Sequence, residues 1–242
     1  MKEHENLLGT LYLIPTPLGG NPPLEVLPLT IKRIIEEHNH FIIENDKMAR
    51  RFIKKITPNK NQEQLKLYPL NKFTTHEESE TYLDPCKNGI SMGLFSDAGC
   101  PGIADPGAII VAKAHKLGIR VKPLVGPSSL ILAMMSSGMN GQNFAFNGYL
   151  PIDQKQRKQA VIKFEKKALK EDQAQLFIET PYRSYSLHKE LLKLLAPNTL
   201  LCVACDLSLP SEYIKTFTVS QWKKEKVDLN KRPCIFIIEG SF

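Results

Sequence analysis

Residues 90–126, "ISMGLFSDAGCPGIADPGAIIVAKAHKLGIRVKPLVG", decide the fold class of this chain. The stretch reads as a strand, a loop, a helix that stops at Gly118, and a second strand, because a glycine commonly closes a helix. The loop at 95–107 holds three glycines, two prolines and two aspartates, too many breakers for a helix or a central strand. A strand that returns to another strand through a helix is typical of a parallel α/β sheet.

The same alternation of strands and helices extends over residues 10–138 and predicts a mostly parallel sheet with helices on both faces. Three loops of unusual composition follow predicted strands: "TPLGG" (16–20), "SDAGCPGIADPG" (96–107) and "GPSS" (126–129). Ligands of such sheets bind beyond the carboxyl ends of the strands. We therefore expect the three loops to lie together on one rim.

Two long helices are predicted within this region. The segment "PLEVLPLTIKRIIEEHN" (23–39) has apolar residues at helical spacing, and "TTHEESETYLDPCKNG" (74–89) ends in an Asn-Gly pair. Beyond Gly141 strands dominate, with a long basic amphipathic helix at 153–172 and a second helix at "SYSLHKELLKLL" (184–195). The sequence thus predicts two α/β domains, 1–140 with a mostly parallel sheet and 141–242 with a mixed sheet.

Composition limits the class of protein. The 242 residues are 42% hydrophobic and 24% charged, which is ordinary for a globular enzyme. No apolar run approaches the roughly 20 residues of a membrane span, and the acidic start does not resemble a signal peptide, so we expect a cytoplasmic protein. A net charge of +7 permits an anionic partner such as nucleic acid, although a basic surface without a partner is the alternative.

The cysteines and aspartates do not predict a metal or a redox centre. Cys202 and Cys205 form a C-x-x-C inside an apolar run, where neutral thiols act as small hydrophobic groups, and no second ligand pair at zinc spacing is visible. Asp97 and Asp105 have no histidine nearby. No loop matches a dinucleotide or Walker A motif. What the loops offer is fixed backbone, which suits a ligand rich in hydrogen-bond donors and acceptors.

Five motifs in a fixed order resemble one known family. They are "LYLIPTPLG", "FSDAGCPGIADPG", "GIRVKPLVGPSSLILAMMSSG", "FNGYLP" and "FIETPYR". Together they are similar to the tetrapyrrole-methylase superfamily, and within it to the bacterial 16S ribosomal RNA ribose 2′-O-methyltransferases. The resemblance covers residues 10–190 well and the last fifty poorly.

The resemblance implies S-adenosylmethionine as methyl donor, a cofactor cleft between two α/β domains, ribosomal RNA as partner, and a homodimer. It also implies which residues lie near the donor, mostly through backbone or apolar contacts. These are Pro17, Leu18, Gly99, Cys100, Ile103, Ala104, Ser128, Ser129, Thr180, Ala204 and Pro233.

A ribose acceptor benefits from a base or a charge stabiliser. The candidates are Glu44, Asp97, Glu179 and Arg183, with Asp105 and His76 as further polar side chains near the motifs. We expect Glu179 and Arg183 to face the acceptor, although a local ion pair across the Pro turn is the alternative. Asp97 and Asp105 are more typical of turn-formers that cap backbone N–H groups, so Asp97→Asn is predicted to distort the loop. His76 fits a helix start.

The acceptor side departs from the family pattern. The family's "EDTR" stands here as "ENDK" (44–47), its "HNE" as "HEE" (76–78), and its "ELTK" as "CDLSLPSEY", which loses a cation. Two alternatives to an RNA methyltransferase therefore stay open. One is a methyltransferase of a small molecule such as a tetrapyrrole, because one fold serves both chemistries. The other is a donor-binding protein without catalysis.

Overall fold

The structure is a computed structural model that describes residues 8–240, apart from the side chain of His76. It divides into two compact units between Ser128 and Ser129, and each unit has its own five-stranded sheet and core. The predicted class, two α/β domains, is confirmed. Within the described range, no helix is both long enough and apolar enough to cross a bilayer.

The first unit is built on a parallel sheet. Its strands are β1 Thr10–Ile14, β2 His40–Ile43, β3 Lys66–Pro69, β4 Met92–Phe95 and β5 Arg120–Pro123. They lie in the order β3-β2-β4-β1-β5, and every neighbouring pair is parallel. All five carboxyl ends therefore lie along one edge.

The helices of this unit are more numerous than predicted, because prolines divide two of the predicted segments. These are α1 Pro23–Val26, α2 Leu29–Glu37, α3 Asp46–Ile56, α4 His76–Glu80, α5 Asp84–Lys87 and α6 Ala108–Lys116, with a 3₁₀ turn at Gln62–Gln64. The single helix predicted at 23–39 is split because Leu27, which precedes Pro28, is extended with ψ 138°. The helix predicted at 74–89 is likewise two helices, and Pro85 occupies the first turn of the second.

Hydrophobic side chains cover both faces of the first sheet. Successive residues of β2 point to opposite faces, so Phe41 and Ile43 join one buried cluster with α2 and α3, while Ile42 joins another with α6. The prediction of helices on both faces is confirmed. Gly93 in β4 leaves room for the Phe41 ring, since a β-carbon there would lie 2.6 Å from it.

The second unit carries the predicted mixed sheet. Its strands are β6 Phe144–Tyr149, β7 Ala174–Glu179, β8 Leu200–Cys205, β9 Tyr213–Thr218 and β10 Cys234–Glu239. Its helices are α7 Ser129–Ser137, α8 Gln154–Glu171, α9 Ser184–Leu194 and α10 Val219–Trp222. The order is β6-β7-β10-β8-β9, with β6 and β7 parallel and the other pairs antiparallel.

The division between the units precedes the boundary expected at 140, because α7 belongs to the second unit. This helix packs on β9 and β10, and Thr216 Oγ1 donates a hydrogen bond to the Ser137 carbonyl oxygen at 2.7 Å. The sequence places α7 after a strand of the first sheet and so suggests the opposite assignment. Packing against the second sheet, which the sequence pattern does not show, decides it.

The C-x-x-C pair is part of the second core, as predicted. Cys202 and Cys205 lie in β8, which is buried at all six positions, and both thiols are free. Residues three apart in a strand point to opposite faces, so the two thiols cannot hold one metal ion. Burial raises the pKa of the Cys202 thiol to about 11, which keeps it protonated at neutral pH.

His188 makes the stability of this core sensitive to acid. Its ring packs edge-on against Trp222, its Nε2 has no hydrogen-bond partner within residues 8–240, and burial lowers its pKa to about 4. The pKa of His188 in the folded state lies below the ordinary 6.5. Its contribution to the free energy of unfolding is therefore fully present above pH 6.5 and is lost as the pH drops toward 4. Between pH 7 and 4.5 we expect a loss of roughly 2–3 kcal/mol from this group.

Urea unfolding at the two pH values measures this loss. Because carboxylates also titrate in that range, the comparison is with His188→Leu, which removes the buried ring nitrogen. The variant is expected to lose less stability with acid than the unchanged protein. Equal losses in the two proteins would show that His188 is not the group responsible.

Candidate functional site

The three Gly/Pro-rich loops meet at the carboxyl edge of the first sheet. Thr16 and Gly99 exchange two backbone hydrogen bonds, with N···O distances of 3.0 and 3.1 Å. Cys100 Sγ lies 3.4 Å from the carbonyl oxygen of Pro127, which ties the middle loop to the third. Because β4, β1 and β5 are neighbours in the sheet, the loops that follow them are neighbours too. The predicted common rim is confirmed.

The middle loop is held in a strained shape by one carboxylate. Gly99 and Gly102 have φ of +77° and +82°, and Ala104 adopts +61°, a conformation that costs a non-glycine residue free energy. Asp105 Oδ1 accepts hydrogen bonds from the N–H groups of Gly102 at 2.7 Å and Gly107 at 2.9 Å. The capping role predicted for Asp105 is therefore present.

Asp97 does not share that role. No hydrogen bond reaches its carboxylate from any residue between 8 and 240, and only its backbone is bound, through the N–H. The expectation that Asp97 braces the turn with its side chain is wrong, because the Gly99 N–H, two residues further on, donates to the Thr16 carbonyl oxygen and the Gly102 N–H donates to Asp105. Asp97→Asn is accordingly expected to leave the loop in place.

Glu44 links the end of β2 to this loop. Its Oε1 accepts a hydrogen bond from the Asp97 N–H at 3.0 Å. Burial raises the pKa of Glu44, the charges of Asp105 and Asp97 raise it further, and the Asp97 N–H opposes them. Burial and the charge of Asp105 also raise the pKa of Asp97. Three carboxylates thus share one region of negative potential, which favours a positively charged ligand.

Asp105 also has an unused acceptor. Its Oδ2 is buried and has no hydrogen-bond partner among the described residues. A buried carboxylate oxygen without a partner is costly unless a ligand supplies a donor. The middle loop therefore presents both negative charge and an acceptor atom to a bound molecule.

A cavity of about 340 Å³ opens at the same edge. Glu44 and Asp97 contribute its acidic side chains, and Arg51 and Lys55 of α3 contribute cationic ones. The full lining is Thr16, Pro17, Leu18, Gly19, Gly20, Asn21, Pro23, Ile43, Glu44, Met48, Ala49, Arg51, Phe52, Lys55, Phe95, Ser96, Asp97 and Ala98. A pocket of this size, with an apolar wall and charges of both signs, suits a small organic group that carries an anion on the side of α3 and a hydrogen-bond donor or a cation on the side of the carboxylates.

The second unit gathers its own predicted residues at one edge of its sheet. Strands β7 and β8 both run antiparallel to β10, and Cys234 pairs with Glu179 on one side and with Cys205 on the other. Thr180 and Ala204, at the ends of β7 and β8, therefore lie beside Pro233, which precedes β10. Three positions far apart in sequence are thereby brought together.

Glu179 and Arg183 form the local ion pair that was the alternative to an acceptor-facing role. Glu179 Oε1 accepts from Arg183 Nη2 at 2.7 Å and Nε at 3.0 Å, and from the Thr180 N–H at 2.6 Å. The Glu179 side chain is 3% exposed and the Arg183 side chain 34%. Glu179 is thus occupied in holding the turn, whereas the guanidinium of Arg183 still reaches solvent.

Sequence reasoning missed Arg232, which closes the loops beside Ala204 and Pro233. Its Nε donates to Asp206 Oδ2 at 2.7 Å, and its other nitrogens donate to the carbonyl oxygens of Asp228 and Ser211. Positive φ angles cluster here, at Asp206, Ser208 and Lys231. The only signal in the sequence is a basic residue directly before Pro233, which does not identify its partners.

The remaining predicted residues are placed as follows. Ile103 is 52% exposed at the tip of the middle loop, and the Leu18 side chain lies 3.1 Å from where a β-carbon on Gly99 would stand. Ser128 ends the first unit and Ser129 begins α7. The side chain of His76 lies outside what the structure describes.

Comparison with known sequences finds relatives along nearly the whole chain. A protein called ribosomal RNA small subunit methyltransferase I from Escherichia coli O157:H7 is 27% identical, covering 99% of this chain and 82% of its own. One of the same name from Buchnera aphidicola subsp. Schizaphis graminum is 29% identical, covering 98% and 80%. No protein-family model matches the chain.

Comparison with solved structures identifies the fold. The methyltransferase CobJ superposes with a TM-score of 0.63 at 14% identity, covering 96% of this chain and 94% of its own. Uroporphyrin-III C-methyltransferase from Thermus thermophilus, in complex with S-adenosylhomocysteine, superposes with a TM-score of 0.56 at 17% identity, covering 96% and 97%. At this level of identity the likeness concerns the fold.

Proposed function

We propose that this chain is a member of the tetrapyrrole-methylase superfamily and an S-adenosylmethionine-dependent methyltransferase that 2′-O-methylates a ribose in 16S ribosomal RNA. The observation that carries the proposal is the alignment, over nearly the full chain, with proteins named as ribosomal RNA small subunit methyltransferases. The motif resemblance supplies the ribose hydroxyl as the acceptor.

The middle loop fits the donor. When bound, S-adenosylmethionine supplies an activated methyl group on a positively charged sulfonium. The negative region of Glu44, Asp97 and Asp105 suits that charge, and the unused Oδ2 of Asp105 suits an amino or hydroxyl donor of the same ligand. In the first unit we assign donor contacts to Pro17, Leu18, Gly99, Cys100, Ile103, Ala104 and Ser128. The motif resemblance also implies Ser129, Thr180, Ala204 and Pro233 as residues near the donor.

The cavity fits the acceptor nucleotide. Arg51 and Lys55 provide cations for a phosphate, and Phe52 and Met48 provide apolar surface for the sugar or base. Glu44 sits at the boundary between this cavity and the middle loop, and its raised pKa makes it a better proton acceptor than an ordinary glutamate. We propose that Glu44 removes the proton of the ribose hydroxyl.

The other polar side chains have positioning roles in this proposal. Asp97 adds negative charge next to Glu44, and Arg183 offers its exposed guanidinium to RNA while Glu179 fixes its orientation. The Gly/Pro loops hold the reacting groups in place and keep water out. Orientation of this kind can supply roughly 7–11 kcal/mol of a reaction barrier, so a covalent nucleophile is not required.

Methylation of a tetrapyrrole remains the second candidate, because solved structures of this fold include a uroporphyrin-III C-methyltransferase. A tetrapyrrole carries several carboxylates, which Arg51 and Lys55 also suit. Relatives that align in sequence over nearly the whole of this chain and about four fifths of their own are named for ribosomal RNA, so RNA is preferred.

We also propose a cytoplasmic homodimer. A ribosomal substrate places the protein where ribosomes are assembled. Helix α7 exposes Ile131 and Met135, which are 48% and 76% accessible and lie one turn apart on the same face. Exposed apolar patches of this kind favour association between copies. Sedimentation velocity tests the proposal, and a monomer at all micromolar concentrations would contradict it.

Transfer of a labelled methyl group tests the activity. Small ribosomal subunits from a strain that lacks the corresponding gene are incubated with the protein and labelled S-adenosylmethionine, and the RNA is mapped for a 2′-O-methyl group. Subunits from the complemented strain, already modified, are the control and should accept little label. Donor binding by calorimetry without transfer to RNA would instead support a protein that has lost catalysis. Label in an extracted tetrapyrrole would support the second candidate.

A further inference from the structure

Helix α8 carries a row of lysines on the side that faces away from the core. Val161 and Ala168 are its buried residues, and the helix packs on β7 and β10. Lys155, Lys163, Lys166 and Lys170 are all exposed. At 100° per residue these four lie on the face opposite Val161 and Ala168, so we call them the α8 lysine row. It extends over about 22 Å, at 1.5 Å per residue.

The α8 lysine row lacks the acidic partners within its own helix that the cations of α2 and α3 have. On α2, Lys32 and Arg33 each meet a glutamate four residues on, and on α3 Arg50 meets Asp46. Within residues 8–240, no ion pair involves a lysine of the row, although α8 itself contains carboxylates.

One of those carboxylates, Glu165, is directed away from the row. Glu165 accepts hydrogen bonds from the Ala196 N–H and Thr199 Oγ1, and Glu171 stands at the edge of a shallow groove of about 420 Å³ along the row. Like charges three and four residues apart destabilise a helix slightly. An ordinary solvated helix face intersperses both signs, so the uncompensated row indicates an anionic partner.

The chemistry of the row favours RNA phosphates over other anionic surfaces. A helix that lies on a membrane places its apolar face on the lipid, whereas the apolar face of α8 is packed against the sheet. Protein interfaces are depleted in lysine and enriched in aromatic residues, and no aromatic side chain lies in the row. Lysine binds phosphate as a point charge and reads no sequence, as a docking surface on folded RNA requires.

We propose that the α8 lysine row is a docking surface for the phosphate backbone of the substrate RNA, separate from the cavity of the first unit. The inference rests on the proposed function for the identity of the RNA. Its role is to raise the affinity and the association rate for the ribosomal subunit, while the cavity selects the nucleotide.

The test compares two full-length variants of equal charge. The first replaces the row, K155Q/K163Q/K166Q/K170Q. The matched control, K193Q/K223Q/K224Q/K226Q, removes four other exposed lysines of the second unit. Binding to unmodified small ribosomal subunits and to a plain RNA duplex is measured over a range of salt concentrations, and donor affinity is measured by calorimetry.

For the row variant we expect RNA affinity to fall at least tenfold at low salt. The slope of log K against log salt should become less steep by about 3, since each lost phosphate contact removes roughly 0.7–0.9. The control should change the slope much less, and donor affinity should stay unchanged in both variants.

Other outcomes separate this inference from the proposed function. Row-dependent binding of subunits without any methyl transfer would support the inference and overturn the activity. The inference alone would be overturned if methyl transfer by the row variant were normal and its slope of log K against log salt unchanged. An equal change of that slope in the control variant would also overturn it. Binding to vesicles containing phosphatidylserine is measured in parallel, and the inference would also be overturned if the row variant lost binding to these vesicles alone.

Discussion

Glu44→Gln is expected to lower kcat for methyl transfer by a factor of about 10²–10⁴, the usual contribution of a general base. Glutamine keeps the size of the side chain and an oxygen that can accept the Asp97 N–H bond, which spans 3.0 Å in the structure. It cannot take a proton from a ribose hydroxyl. KM for RNA and donor affinity should change little, because the loop and the cavity are preserved. Single-turnover transfer to unmodified small ribosomal subunits measures the effect.

The pH dependence provides an independent check. Glu44 works as a base only when ionised, and its pKa is raised by burial and by the neighbouring aspartates. The rate of the unchanged enzyme should therefore rise as the pH passes upward through a value above the ordinary 4.5, and this step should vanish in Glu44→Gln. Asp97→Asn is the matched control, and it should lower that pKa while retaining most of the rate. A Glu44→Gln enzyme with an unchanged rate would rule out this residue as the base.

Asp105→Ala is expected to weaken donor binding on the order of a hundredfold. Two backbone hydrogen bonds to a charged carboxylate, from Gly102 and Gly107, are lost, and such bonds contribute about 1.5–3 kcal/mol each before the loop relaxes. The strained backbone at Ala104, where φ is +61°, then loses the support that the Asp105 side chain gives to the loop. Calorimetry with S-adenosylmethionine or S-adenosylhomocysteine measures the change.

Asp105→Asn separates geometry from charge in this prediction. Its amide oxygen can still accept the two N–H groups, so the loop should remain and donor affinity should fall less than in Asp105→Ala. Thermal unfolding of each variant shows that the fold is intact. If folded Asp105→Ala bound the donor as tightly as the unchanged protein, the middle loop would not be the donor site.

Much of the fold could be predicted from local sequence. Prolines and glycines mark the ends of elements, and apolar residues at period 3.6 identify α2, whose Ile31, Ile34 and Ile35 are buried as the pattern requires. The rim of three loops also followed from sequence, because parallel strands place their carboxyl ends together. The order of the motifs predicted a resemblance to ribosomal RNA methyltransferases, and proteins of that name align along nearly the whole chain.

The remainder depends on contacts between distant residues. Glu44 and Asp97 are 53 positions apart, and nothing local to either predicts the hydrogen bond between them. The grouping of Arg232 with Asp206 depends on which strands pair in the second sheet. Asp97 and Asp105 have similar local surroundings in sequence, so only the turn geometry distinguishes the one that caps the backbone.

The strand order of the second sheet has a consequence for how the protein is made. Of its five strands, β10 is synthesised last, yet it lies in the middle of the sheet, between β7 and β8. The first sheet has all its strands once residue 123 has left the ribosome, so that unit can fold while translation continues. Until the central strand of the second sheet arrives, the facing edges of β7 and β8, two strands rich in apolar side chains, have unpaired backbone N–H and C=O groups. Stalled translation or a frameshift shortly before Cys234 would therefore release a chain with one folded half and one exposed, aggregation-prone half.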